Sequence, residues 1–346
     1  MKRIKIAFVA ILALLCVAPA GAQQTSKWLE YARPSGSLQG GISLDPENLD
    51  YQFYVRRARV AVLGTVLNDV RFGKLEYVLR ASLVQSPSLL DGFIKYTLRD
   101  EFGVQFGQFR SPVNIENTEL SSTTIELIDY SILTQRFCHM GSMDLAGISA
   151  SGRDIGINFY GKLLKMSDGH HLIRYDVGIF NGAGINRRDD DQRKEYMARL
   201  MVFPIKELSI VGYYTRAMGA HPDVAPEYNV YDWYVYDRYG GGVYYKSKYG
   251  WFRGEYMEGH THGYLARGAY ATLGYFILPQ LDASARYDYF VTDTSRPSMT
   301  TQHLITAGVR WKPISFFFAQ LNYSYNMAPG GVKPSHLINL QTTLLF

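Results

Sequence analysis

A strict two-residue alternation over the last eleven residues, 336–346, constrains this chain more than any other feature. The stretch HLINLQTTLLF puts Ile338, Leu340, Thr342, Leu344 and Phe346 on one side and Asn339, Gln341 and Thr343 on the other. Successive side chains of a strand point to opposite faces, so this period means one oily face and one wet face. A soluble sandwich buries such an oily face in a core, whereas a membrane barrel turns it toward lipid. The rest of the chain has to decide between them.

At the other end, Lys2, Arg3 and Lys5 precede an apolar run from Ile6 to Val17 and then Ala20-Gly21-Ala22. A basic start, a short apolar run and a small-residue cleavage site make residues 1–22 a secretory signal peptide. The run is short for a membrane span. Cys16 follows Leu15 rather than the small residue a lipidation site favours. Residues 23–36 are expected to form a periplasmic lead-in, and residues 37–346 the folded body. Cleavage removes three of the 36 basic residues and leaves 33 against 31 acidic ones, so most of the formal charge of +5 disappears. A nucleic-acid partner, which needs a concentrated basic patch, is not implied. Cys138 is then the only cysteine, which excludes an internal disulfide framework.

No apolar run after the signal approaches the length of a membrane helix. What recurs is an alternating segment of about ten residues, with short and long connections taking turns. The expected strands are Ser37 to Asp45, Tyr51 to Val66, Arg71 to Leu83, Leu90 to Arg99 and Phe102 to Arg110. After a long interruption come Arg153 to Leu163, Leu172 to Phe180, Glu195 to Phe203, Leu208 to Arg216 and Arg238 to Lys248. Trp251 to Gly259, Arg267 to Ile277, Leu281 to Thr292, Thr301 to Trp311, Ser315 to Asn326 and the terminal stretch complete about sixteen, an even number as closed antiparallel barrels require. The fold expected is therefore all-β, a transmembrane antiparallel barrel in the bacterial outer membrane with a long third extracellular loop. Outward sets such as Ile305, Ala307, Val309 and Trp311 oppose Thr306, Gly308 and Arg310, and Ala283, Ala285, Tyr287 and Tyr289 oppose Asp282, Ser284, Arg286 and Asp288. A soluble barrel reverses that polarity, so the interior is expected to be water-filled. The final Phe346 resembles the signal by which assembly machinery recognises outer-membrane barrels.

Several stretches together resemble the phosphate-selective porin O and P family. They are YVRRARVAVLG from Tyr54, LLDGFIKYTL from Leu89, VQFGQFRSPV from Val104, GRDIGINFYG from Gly152 and YDVGIFNGAG from Tyr175. The resemblance implies a sixteen-stranded, homotrimeric outer-membrane channel. It also implies that the third outer loop, 111–152, folds inward and sets the constriction. Where the family carries Lys followed by Pro-Phe after the GQF motif, this chain has Arg110, Ser111, Pro112 and Val113. Its mixed lumen charge also departs from a strongly basic phosphate pore.

The pleat puts Arg57, Arg59, Lys74, Arg80, Lys95, Arg174, Arg199, Arg253, Arg286 and Arg310 on the lumen wall. Against them stand Glu76, Asp91, Asp154, Asp176, Glu255, Asp282 and Asp288. An inward loop adds Glu116, Glu119, Glu126 and Asp129 against Arg110 and Arg136. The excess of positive wall charge is small, so the expected function is passive diffusion of small hydrophilic solutes with a weak anion preference; the resemblance adds phosphate or other oxyanions as candidate solutes. His170-His171 and His260-Thr261-His262 lack a third ligand at useful spacing, and no metal or cofactor is expected. Arg187 to Asp191 reads as a solvated loop tip, and the tyrosines of 228–245 as an interface belt. The partners expected are outer-membrane lipid and small or anionic solutes. Two alternatives remain: a barrel enzyme hydrolysing lipid or peptide, and a structural or adhesive barrel.

Overall fold

The computed structural model describes residues 31–84, 86–140, 144–148, 150–189, 193–219, 234–261 and 263–346. The expected signal peptide lies outside them. Sixteen strands follow one another as β1 (Arg33–Asp45), β2 (Asp50–Asp69), β3 (Gly73–Ser82), β4 (Ser88–Arg99), β5 (Phe102–Arg110), β6 (Arg153–Lys165), β7 (His171–Phe180) and β8 (Glu195–Ile205). The second half comprises β9 (Leu208–Gly219), β10 (Tyr234–Lys246), β11 (Gly250–Thr261), β12 (Tyr264–Leu278), β13 (Leu281–Val291), β14 (Thr301–Ile314), β15 (Phe317–Met327) and β16 (Ser335–Leu345). Each pairs antiparallel with its neighbours, and β1 closes on β16 from Ser37↔Leu345 to Leu44↔Ile338. Closure leaves no sheet edge, so every strand finds its backbone partners without water, as a lipid-embedded sheet requires.

All sixteen expected strands are present, with shifted ends. β1 starts at Arg33 rather than Ser37, so the end of the expected lead-in belongs to the sheet. RPSGS has no alternation to announce it, and β2 supplies its partner through Arg33↔Leu63 to Ser37↔Arg59. The connection after β6, residues 164–171 on the expected bounds, shrinks to 166–170 because β6 runs on to Lys165 and β7 starts at His171. One end of the barrel thus carries only turns of two to five residues, together with both sheet termini; the other carries the loops. At the short-turn end the Phe346 amide donates to the Gly36 carbonyl, and its own carbonyl accepts from Gly36 at 2.5 Å. A methyl group on Gly36 would lie 2.3 Å from the Phe346 ring, so only glycine leaves that ring its place.

The outward face is apolar: Leu273, Trp311, Ile305, Leu321 and Leu340 are exposed, while Arg286, Asp288, Asn322 and Gln341 on the opposite face are buried. The expected polarity therefore holds. The expectation of an interior that is water throughout does not. Phe109, Val113, Ile115, Ile132, Leu133, Phe137 and Phe180 pack with Met197, Met201, Val211, Tyr213, Met257, Tyr270 and Phe290 into one buried apolar cluster inside the barrel. Loop and wall each present an apolar patch, and joining them removes both from water.

Candidate functional site

Two short helices, α1 (Ile115–Glu119) and α2 (Ile132–Phe137), stiffen the loop between β5 and β6. Each is capped locally, Asn114 accepting from the Asn117 amide and Ser131 from the Thr134 amide. The wall then binds the loop backbone strand by strand. Glu255 on β11 accepts the Ile115 amide at 2.8 Å, and Asp288 on β13 accepts the Ile132 amide at 3.0 Å. Arg286 donates to the carbonyls of Asp129 and Tyr130, Gln320 to those of Ile125 and Glu126, and Gln39 to that of Thr123. Arg310 reaches the Thr124 carbonyl and Arg238 that of Phe137. Within the loop, the buried Glu116 carboxylate gathers the Ser131 amide and the hydroxyls of Ser131 and Thr134, tying α1 to α2.

The loop therefore packs mainly against β8 to β15, with a further bond to Gln39 on β1, and space remains along β2 to β8. Two cavities occupy that space. One, of about 710 Å³, is lined by Tyr54, Arg56, Arg57, Arg59, Arg110 and Arg153, with Asp129 and Tyr130 across from them. The other, of about 550 Å³, is lined by Arg80, Lys95, Glu119, Tyr160, Arg174 and Arg199 among others. Arg110 lines both.

Charge pairing divides these arginines into two kinds. Asp91 holds Arg80 and, at 2.6 Å, Arg153; Asp129 holds Arg56. Glu119 takes Arg174 and Arg199, and Asp176 takes Arg199 at 2.7 Å. Burial opposes ionisation of Glu119, yet Arg199 and Arg174 hold its carboxyl below the usual range. By contrast, Arg57 donates to the Gln39 amide oxygen, Arg59 to the Ser122 hydroxyl, and Arg110 to the carbonyls of Asn117 and Leu120 and to Ser122. Among the described residues, these three guanidiniums have no carboxylate partner, and the Arg59 Nε is buried without any acceptor. Three positive groups with only neutral partners share one cavity.

The remaining sequence candidates are engaged in other ways. Lys74 pairs with Glu76 at 2.6 Å, and Lys95 lies over the Tyr160 ring. Arg253, Arg286 and Arg310 are buried under the loop, held by Glu126, Asp288 and Asp282 respectively. Arg136 stacks toward the Phe290 ring. His170 bonds Asp168 and His260 bonds Asp237; His262 and residues 228–233 lie outside the described residues. Strict alternation missed Arg56: the pairing slips between Gln39↔Arg57 and Gly40↔Val55, so Arg56 has no β1 partner and its side chain turns in to Asp129. It also missed Arg238, whose buried guanidinium lies 3.5 Å from Asp144 near His139. Burial alone would lower the basicity of His139, but the Asp144 and Glu195 carboxylates raise its pKa to about 9.

A family model described as phosphate-selective porin O and P matches residues 36–222, more than half of the chain. Comparison with curated proteins finds no match. Among solved structures, the trimer form of OmpT of Vibrio cholerae shares 11% identity over 91% of this chain and 99% of its own, with a TM-score of 0.67. Salmonella typhi OmpF in complex with daunomycin gives 10% identity over 91% and 97%, at 0.68. A triple mutant of Rhodopseudomonas blastica porin gives 11% over 91% and 100%, at 0.58. At such identities these likenesses establish the sixteen-stranded porin fold.

Proposed function

Since the chain belongs to the phosphate-selective porin O and P family, we propose that it is an outer-membrane diffusion channel for small hydrophilic solutes that favours anions, phosphate and other oxyanions among them. The observation that carries the preference is the group of Arg57, Arg59 and Arg110 on one cavity, with no carboxylate partner among the described residues. A guanidinium fork suits planar or tetrahedral oxyanions, and an uncompensated charge beside a narrow water path attracts counter-ions within about 8 Å at physiological salt. The loop 111–152 is read as the constriction, with Asp129 and Glu119 as its acidic face and Phe346 as the assembly signal. Homotrimeric assembly follows the family habit.

The test is a planar-bilayer recording in a salt gradient. The unmodified channel should reverse on the anion side, added phosphate should reduce the chloride current, and replacing Arg57 and Arg59 by Gln should move the reversal potential toward cations without abolishing conductance. A cation preference in the unmodified channel would reject the guanidinium argument. Absence of any channel would favour the enzyme or structural reading instead.

A further inference from the structure

The outward wall is apolar along most of its height, but at the loop end of β9 to β12 it carries Arg216, Asp237, Glu258, His260 and Arg267. Their register makes them neighbours, through Arg216↔Asp237↔His260 on one row and Tyr239↔Glu258↔Arg267 on the next. Both acids are already engaged. Glu258 accepts the hydroxyls of Tyr239 and Tyr256, and Asp237 accepts the His260 amide at 3.1 Å and lies 3.0 Å from its ring Nδ1. The two arginines are exposed, and neither makes a hydrogen bond or ion pair among the described residues.

Their depth restricts what they meet. Arg216 lies three residues from the end of β9 at Gly219, and Arg267 three from the start of β12 at Tyr264, so each is roughly 10 Å along its strand from the loop end. An arginine facing lipid costs about 2–4 kcal/mol at the bilayer midplane but only about 0–1 near an interface, which assigns this row to headgroup level. Tyr196, Tyr214, Tyr239, Tyr256 and Tyr264 surround it with exposed rings of the kind that sit at that level. Three strand spacings across and two residues along, the backbone positions of the two arginines stand about 16 Å apart.

We propose that this strip recognises a phosphorylated headgroup of an outer-leaflet lipid, with Arg216 and Arg267 each taking a phosphate and the tyrosines lying against the lipid body. The charge argument is one of geometry: Glu258 and Asp237 keep their charge but turn their oxygens to Tyr239, Tyr256 and His260, and although Glu258 lies opposite Arg267 in the register, neither guanidinium is hydrogen-bonded among the described residues, which leaves two forks shaped for phosphate at headgroup level. The inference rests on the channel reading above only for its orientation, with the loop end outside.

The test uses the purified full-length barrel and native mass spectrometry with a bisphosphorylated disaccharide lipid, its dephosphorylated form and inorganic phosphate. The unmodified protein should hold the phosphorylated lipid about tenfold or more tightly than the R216Q/R267Q variant, and both should hold the dephosphorylated lipid equally weakly. Excess inorganic phosphate should leave the lipid in place. Equal binding by protein and variant, equal binding of the two lipids, or loss of the lipid in the R57Q/R59Q variant rather than in R216Q/R267Q would overturn the proposal. Single-channel current should be unchanged in R216Q/R267Q, because neither residue faces the lumen. Lipid binding without current would sink the channel reading alone.

Discussion

Truncating Asp288 to alanine tests how the loop is fixed. Its Oδ1 accepts the Ile132 amide at 3.0 Å and its Oδ2 takes the Arg286 Nε at 2.7 Å, with both side chains of the pair buried. After truncation the nearest carboxylate to Arg286 is Glu116, at 3.9 Å. Removing one partner of a buried ion pair costs about 3–5 kcal/mol, because the other charge stays behind. The Ile132 amide loses its acceptor at the same time. Each 1.36 kcal/mol is a factor of ten, so exchange at that amide should rise by roughly two to four decades. The change should stay near residues 129–137, because Glu255 and Gln320 still hold Ile115, Ile125 and Glu126. Asp288→Asn keeps an oxygen for Ile132 and should give a smaller rise. Hydrogen–deuterium exchange read by mass spectrometry on the detergent-solubilised barrel measures this directly. Unchanged exchange at Ile132 in the alanine variant would refute the wall-anchor account.

Two further perturbations act on other parts of the molecule. His139 lies in the loop, outside the spanning strands, and its pKa is raised from 6.5 to about 9 with Asp144 and Glu195 facing it and Arg238 opposing. Its contribution to loop docking is therefore complete below about pH 6.5 and lost as the pH climbs to 9. Exchange protection around residues 137–140 and 144–148 should fall across that window, and His139→Gln should remove the dependence; a pH-independent native loop would contradict it. At the closure seam, Gly36→Ala pushes a methyl group into the Phe346 ring. It should slow insertion, as should deletion of Phe346, read as lower surface levels and less heat-modifiable protein on gels; normal levels for both would dismiss the seam.

How far the sequence reaches depends on which physical signal each part leaves. Strand identity was legible because lipid on one side and water on the other enforce a period of two, which Ile338 to Phe346 and Ala283 to Tyr289 display plainly. Strand ends were not, since RPSGS at the start of β1 owes its pairing to β2 and not to its own pattern. Arg56 was hidden by a bulge, which local alternation cannot announce. The docked loop did leave a trace. Met197, Met201, Val211, Tyr213, Met257 and Phe290 are apolar at inward positions where neighbouring strands carry Asp, Arg or Gln, and together they mark the patch that the loop covers.

That covering changes how wall charge bears on passage. Summed along all strands, ten basic candidates exceed seven acidic ones by three, which in a wide lumen gives only mild selectivity. Yet Arg253, Arg286 and Arg310 each meet a carboxylate beneath the loop, and Glu255 and Asp288 are engaged by loop amides. Those charges hold the loop in place, and ions in the open space do not meet them. Along β2 to β8, Asp91, Asp129, Glu119 and Asp176 pair at short range with Arg80, Arg153, Arg56, Arg174 and Arg199, four acids against five guanidiniums. Beside the larger cavity, Arg57, Arg59 and Arg110 have no carboxylate within ion-pair distance among the described residues. A loop docked on the opposite wall would expose a different remainder from the same sequence, so the preference of such a channel depends on where its loop binds as much as on its composition.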